Sequence, residues 1–564
     1  MANLSQLRRQ RMLAFLEKMR EQHKDDDEVL VAINEVENEI NEKKYGLVWE
    51  EHSEEVEERM ADEVPIFVED PDKEITMTDN GYNFLLEGDN LHSLHLLEKT
   101  HKEKIDVIYI DPPYNTGNGD FIYNDSIVDE NDAFRHSKWL SFMAKRLRIA
   151  WRLLSENGII FISIDDHEQG NLAQLCDTIF GEDSHVTTMV WQRKTGASDA
   201  KGLATITEYI LVYTKNKDKK SWSNIFTENN GSFDRNRYRF SDEYESERGM
   251  YYTDSLDRGG LRYSDSLNYA IECPDGTKTF PNGRTEFVND GWTWKWGEEK
   301  VKWGLENGFI TFKKSKNKPS GWTVQYKNYM FVDNEGNPVN RTAPFKNLIL
   351  DILNANGVNE QKAIFGGKVF NNPKPVELIK FLLHLSKTNN ITLDFFAGSG
   401  TTGQAVLELN KEDGGNRKFI LCTNNENNIC NDVTYPRLKT VITGIRLDGS
   451  KYSDGIPADL KYYHTDYVPK NSGALAQDLI SHIDEMIQLE YGVKIDREKY
   501  ISILTDEDAD GLEKNWQNFP NIRAIYVSRS VLLTGKQREL FETKDCFVIP
   551  DYYFREELRD AGEA

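Results

Sequence analysis

At 564 residues, with 38% hydrophobic and 11% aromatic side chains, the chain is too long for one ordinary domain and too apolar for wholesale disorder. No stretch nears 18 consecutive apolar residues, and the amino-terminal MANLSQLRRQRMLAFLEKM is charged where a signal peptide is apolar, so neither membrane spanning nor secretion is expected. The net charge of −25 does not exclude a nucleic-acid partner, because residues 186–345 hold 24 Lys and Arg against 21 Asp and Glu while the remainder is strongly acidic. Five scattered cysteines, an odd number, argue against a disulfide framework and make a reducing cytoplasm the expected compartment.

Residues 1–75 read as a polar helical extension, with apolar positions such as Leu13, Leu16, Ile33, Val36 and Ile40. Its acidic stretch Glu50–Glu63 is either a partner-binding helix or, more commonly for such sequences, a solvated face. From 76 to 185 the texture is α/β. YNFLLEG, KIDVIYI (Lys104–Ile110) and GIIFISI (Gly158–Ile164) are short apolar runs bounded by Gly, Asn or Asp, as buried strands are. A helical pattern over Ala133–Leu154 joins the last two into a βαβ unit.

Residues 186–345 carry seven of the eleven tryptophans and no regular period, and read as an insertion. The α/β texture resumes over 346–450, with a helix near Val376–Ser386, strands at Ile391–Phe395 and Lys418–Thr423, and a helix Gly403–Leu409 between them. The tail, 451–564, combines an amphipathic helix (Leu475–Leu489) with short strands. The economical architecture is one α/β domain interrupted by a 160-residue insertion and flanked by extensions.

Two loops carry chemistry. Asp111-Pro112-Pro113-Tyr114-Asn115-Thr116-Gly117 follows the strand KIDVIYI, at the carboxyl end where open α/β sheets place ligands. A carboxylate and a proline-fixed carbonyl can both accept hydrogen bonds from an exocyclic amine, and Tyr114 offers a face for a planar base. Asp394-Phe395-Phe396-Ala397-Gly398-Ser399-Gly400-Thr401-Thr402 follows the second strand pair's first member and opens a helix, where glycines allow close backbone approach to a ligand. It lacks the Lys-Ser/Thr of a phosphate-binding Walker loop and the spacing of a GxGxxG fingerprint.

DPPYNTG with a later DFFAGSGTT resembles the amino-group DNA methyltransferases that use S-adenosylmethionine, in the permuted β-class order with the acceptor motif first. Leu86-Glu87-Gly88-Asp89-Asn90-Leu91 and Asn372-Pro373-Lys374-Pro375-Val376-Glu377-Leu378-Ile379 extend the match, and their order and spacing look like the modification subunits of type III restriction–modification systems from about residue 80 to 440. The resemblance implies a Rossmann-like methyltransferase fold whose two loops cap adjacent strands at the switch point, with residues 186–345 as a target recognition domain. It implies site-specific methylation of adenine N6 on double-stranded DNA, with N4-methylation of cytosine or a mainly DNA-binding specificity subunit as alternatives. RNA methylation also stays open.

The roles implied by the family are these. Asp111 and the carbonyl of Pro112 hold the two amine hydrogens, with Pro113 and Tyr114 completing the loop and Tyr114 stacking on a flipped base. Asp394, Phe396, Ala397, Gly398, Ser399, Gly400 and Thr401 wrap the methionine part of the cofactor, assisted by Lys374 and Pro375. Glu426, or Asn425 as an alternative, holds the ribose hydroxyls, and Asp89 lies near the cofactor or target amine. No metal is needed, because the sulfonium methyl is already activated. A homodimer is implied, and a restriction helicase–nuclease subunit is a possible companion. Asn115 is assigned to DNA contact. Arg235, Arg237 and Arg239 alternate around Tyr238 and on a strand would share one face toward DNA.

Four further features complete the expectation. His92, His95 and His101 decorate a helix surface, and Asp165 and Asp166 cap a strand end. Cys422 and Cys430 lack zinc-like company. Related subunits often continue NTG with Lys-Asp-Gly-Phe, where this chain reads Asn118-Gly119-Asp120-Phe121.

Overall fold

The protein is described from a computed structural model, over residues 4–24, 27–41, 49–117, 122–123, 126–127, 132–196, 202–229, 234–260, 263–339, 344–549 and 553–560. The departure at Asn118–Phe121 lies outside them. Ten strands form one sheet: β1 (Glu63–Glu69), β2 (Tyr82–Glu87), β3 (Ile105–Ile110), β4 (Leu154–Ile164), β5 (His185–Gln192), β6 (Thr207–Thr214), β7 (Leu348–Ile349), β8 (Ile391–Asp394), β9 (Lys418–Thr423) and β10 (Asp459–Pro469). Their order is β1-β10-β2-β9-β8-β3-β4-β6-β5-β7.

The six strands from β10 to β4 run parallel, and β6 is antiparallel to β4. All six residues of β3 are buried, which explains its largely apolar body; the exception, Asp106, accepts from the Ser155 hydroxyl and from Asn390 N. From β3 the chain winds one way, through the helix Arg135–Leu153, to β4. From β8 it winds the other way, through Thr401–Asp413, to β9. Right-handed crossovers therefore send these helices to opposite faces and open a crevice between β3 and β8. The register Thr392↔Val107 and Leu393↔Ile108 makes those two strands direct neighbours, as expected.

Several expectations need correction. The segment expected as an insertion over 186–345 begins with β5 and β6, which are hydrogen-bonded into the main sheet. The separate compact unit is Glu228–Lys346. Within it, Tyr251–Ser255, Ile310–Lys314 and Trp322–Tyr329 form an antiparallel sheet. Trp294 and Trp296 lie in its core with Leu256, Phe309, Val324 and Tyr329, so much of the aromatic richness builds that core. Residues 228–346 hold 18 basic and 18 acidic residues, so the cationic excess expected of the insertion belongs to β5, β6 and their connections instead.

The extensions also join the main sheet, through β1 and β10. The helix expected over Leu475–Leu489 is two, Leu475–Ile480 and Ile483–Tyr491, broken at Ser481-His482. Beyond it, Tyr500–Ile503, Ala524–Ser528 and Asp545–Ile549 form a small parallel sheet with its own core. His92 and His101 are buried rather than on a helix surface: His92 packs against the ring of Tyr467, and His101 Nδ1 lies 2.8 Å from the Thr100 hydroxyl. No helix among the described residues is long and apolar enough to cross a membrane.

Candidate active site

The loops after β3 and β8 open into one cavity of about 1070 Å³. Asp111, Pro112, Pro113 and Tyr114 line it from the first loop, and Phe396 and Gly398 from the second. Asp89, Lys374 and Glu426 complete the set of expected residues on its wall.

The first loop is held from behind. Trp139 Nε1 donates to the carbonyl of Pro113 at 2.7 Å, and the backbone turns at Asn115 with φ +58°. Asn115 is fully buried, and its amide donates to Glu168 Oε1 at 2.5 Å. The DNA contact expected of Asn115 is therefore replaced by a structural one: its short side chain tolerates the left-handed turn and anchors it.

On the cavity side of this loop, Lys374 Nζ donates to both carboxylate oxygens of Asp111, at 2.7 and 2.9 Å, and to the Tyr114 hydroxyl at 2.7 Å. Tyr114 donates in turn to Asp111 Oδ1 at 2.9 Å. Burial pushes the Asp111 carboxyl upward, with the Lys374 ammonium pulling against it. Burial also opposes the Lys374 charge, but Asp111 and Glu208 outweigh it and raise its pKa. Lys374, expected beside the methionine part of a cofactor, is thus hydrogen-bonded to the first loop. Pro375 lies behind it as the residue preceding the helix Val376–His384.

The second loop is built around two buried charges. Asp394 accepts from Phe396 N at 3.0 Å and from the Thr402 hydroxyl at 2.5 Å, and burial pushes its carboxyl up to about 7. Arg437, wholly enclosed, donates to the Ser399 hydroxyl at 3.1 Å and the Thr401 hydroxyl at 2.8 Å. Burial lowers its pKa to about 10. Gly398 and Gly400 take φ +47° and +77°. A Cβ on Gly398 would meet Phe370 at 3.4 Å, at a backbone conformation other residues rarely adopt. Asp394, Ala397, Ser399, Gly400 and Thr401 thus shape the loop from behind, while Phe396 and Gly398 face the cavity.

Glu426 is exposed after β9 and faces the cavity, whereas Asn425 is spent accepting the backbone N–H of Cys430 and Asn431. Asp89 caps its helix by accepting from Leu91 N at 2.7 Å. Arg235 and Arg237 lie on a short 3₁₀ turn, not a strand, so the expected alternation onto one face is not formed. Arg237 instead stacks over Tyr252, and Arg239 donates to the carbonyl of Asn236.

The sequence reading missed three contributors. Glu208 on β6 and Arg193 after β5 line the cavity as an ion pair at 3.0 Å. Glu54, Glu55, Val56 and Arg59, from the acidic stretch read as solvated, form another wall. Arg437 carried the faintest signal, one of two cations in the helix Tyr435–Thr443.

A family model described as DNA methylase, for the N6 and N4 methyltransferases, matches residues 105–434. The chain is 33% identical over 405 residues to the type III restriction–modification enzyme StyLTI Mod subunit of Salmonella typhimurium, covering 65% of this chain and 56% of that one. It is 34% identical over 409 residues to the type II methyltransferase M.KpnI of Klebsiella pneumoniae, covering 69% and 92%. The chain therefore spans little more than half the length of the Mod subunit and nearly all of M.KpnI. Among solved structures, the PvuII DNA methyltransferase (cytosine-N4-specific) matches with TM-score 0.31 and 11% identity over 64% of this chain and 91% of that one, a likeness too loose to bear on chemistry. With the family's motifs brought to one cavity by neighbouring strands, the chain belongs to the N6/N4 DNA methylase family.

Proposed function

We propose that this protein transfers a methyl group from S-adenosylmethionine to N6 of an adenine in double-stranded DNA. The observation that carries the reading is the adjacency of β3 and β8, which opens the Asp111–Tyr114 and Phe396–Gly398 loops into one cavity although some 280 residues separate them. The residues present fit the cofactor. The glycine turn at Gly398 leaves space a side chain would fill, Phe396 offers an aromatic edge, and the Glu426 carboxylate faces the cavity as an acceptor for hydroxyls. S-adenosylmethionine, when bound, supplies a methyl group already activated on a sulfonium.

The chain's own part is to bind, orient and exclude water. Asp111 and the carbonyl of Pro112 accept the two hydrogens of the amine, favouring a pyramidal nitrogen with its lone pair free. Tyr114 offers its ring to the base, which must leave the duplex to reach the site. Alignment of the amine with the donor, more than acid–base chemistry, lowers the barrier. The Asp that opens the loop favours adenine over cytosine. The compact unit Glu228–Lys346 is the natural reader of sequence, since it is built apart from the sheet that carries the site. We further propose a homodimer and, as for Mod subunits, a restriction-subunit companion.

Mass spectrometry of DNA digested after reaction with labelled cofactor tests the reading. N6-methyladenine is expected, with a chelator having no effect. N4-methylcytosine as the main product would transfer the assignment to the alternative, and no labelled base would end it.

A further inference from the structure

Glu208 belongs to β6, outside both loops and outside the motifs that carry the family resemblance, yet it reaches both groups that hydrogen-bond Asp111, Lys374 and Tyr114. Its Oε2 stands 3.2 Å from the Tyr114 hydroxyl oxygen and 3.4 Å from Lys374 Nζ, while Oε1 pairs with Arg193 Nη1 at 3.0 Å. The side chains of Glu208 and Lys374 are only 8% and 9% exposed. Two carboxylates and two cations thus neutralise one another, and for the inner pair, Glu208 and Lys374, an ion without a partner would be costly.

An ammonium has three hydrogens, and here they are directed at the two oxygens of Asp111 and at Tyr114. Lys374 occupies both oxygens of Asp111 and Tyr114 adds a third hydrogen bond at Oδ1, so an arriving amine competes with the ammonium for the carboxylate. Something must receive the ammonium when the amine arrives, and Glu208 is the second anion within reach. Arg193 fixes the far oxygen of Glu208, so the receiving carboxylate stays in place. The groups acting on Asp111 are Lys374, Tyr114 and Glu208, with Tyr109 and Asp394 behind the loop.

We propose that Glu208, held by Arg193, is a positioning residue for methyl transfer, taking up the Lys374 ammonium so that Asp111 can exchange it for the exocyclic amine of the base. This deepens the proposed function and rests on its assignment of Asp111 as the amine acceptor.

The test uses the full chain with Glu208→Gln and Glu208→Asp, and two readouts. The first needs no catalysis: labelling of Lys374 by an amine-acylating reagent across a pH series, mapped by mass spectrometry, reports the titration of that ammonium. Loss of one of its two anions in Glu208→Gln should raise labelling at mildly alkaline pH on the order of tenfold, one unit of pKa, while Glu208→Asp stays close to wild type. Unchanged labelling in Glu208→Gln overturns the proposal.

The second readout is methyl transfer to DNA. In Glu208→Gln kcat should fall on the order of 10- to 100-fold, with KM for S-adenosylmethionine and affinity for S-adenosylhomocysteine nearly unchanged, and Glu208→Asp should regain most of the rate. A parallel loss of cofactor affinity, or no recovery in Glu208→Asp, would show a merely structural role and overturn the proposal. A wild-type protein that transfers nothing to DNA overturns the proposed function instead, while the labelling series still decides whether Glu208 governs Lys374.

Discussion

Arg146 and Glu54 meet through two parallel hydrogen bonds, Nη1 to Oε1 and Nη2 to Oε2, both at 2.9 Å, with the guanidinium wholly enclosed. The same guanidinium donates from Nε to Asn90 Oδ1 at 2.5 Å. It thereby ties the segment before the helix Glu55–Asp62 to the turn that carries Asp89. A stretch that looks like an acidic surface becomes a wall of the cavity because one buried arginine needs a carboxylate.

Removing that carboxylate leaves the enclosed arginine, among the described residues, with only the half-exposed Asp89, 3.5 Å away, as a counter-ion. Glu54→Ala should cost about 3–5 kcal/mol of stability, the usual penalty for breaking a buried ion pair from one side. Denaturant unfolding measures it, and Arg146→Met combined with Glu54→Leu should cost clearly less. A loss below about 1 kcal/mol for Glu54→Ala would show that water reaches the site.

The two loops should separate by function. Asp111→Asn is expected to abolish methyl transfer while affinity for S-adenosylhomocysteine stays nearly intact, because the role proposed for the carboxylate is to receive the target amine. Gly398→Val forces a branched side chain into φ +47° against Phe370, and should lose cofactor binding. Calorimetric titration distinguishes them, and equal loss in both would refute this division.

Acid should weaken the fold through buried histidines. Burial lowers both His92 and His101 from 6.5 to about 3, so each is neutral in the fold and takes a proton on unfolding. Their stabilisation is present above pH 6.5 and is lost progressively as pH falls toward 3, each group contributing up to about 1.4 kcal/mol per pH unit. Urea titrations between pH 7 and 5 should give His101→Gln a shallower pH slope than wild type. An identical slope would mean that His101 is protonated in the fold.

Exchanging Glu228–Lys346 for the corresponding unit of a related enzyme should change which sequence is methylated and leave adenine as the base. Sequencing of modified DNA reads both results together. An active chimera with its original site would move recognition out of this unit, most directly onto the cationic β5–β6 region.

Light scattering at micromolar concentration should give the mass of two chains. A monomer that methylates at one chain per site would rule the dimer out.

The sequence alone determined the parts of this protein whose physics is local. Lys418–Thr423 and Ile105–Ile110 are legible as strands because burial on both faces demands a largely apolar body with a sharp end. The loops after Ile110 and Asp394 are legible because prolines and glycines restrict or release the backbone wherever they occur. Only the tertiary structure decided what those loops meet. Glu208 is one acid in an otherwise apolar strand, and Lys374 one cation between prolines, and neither spacing nor composition says that they share a corner with Asp111. The break at Ser481-His482 and the recruitment of β5 and β6 to the main sheet were equally hidden. Amphipathic period and aromatic content report that a face is buried, whereas its partner is chosen by long-range packing, where charges distant in sequence must neutralise one another once water is excluded.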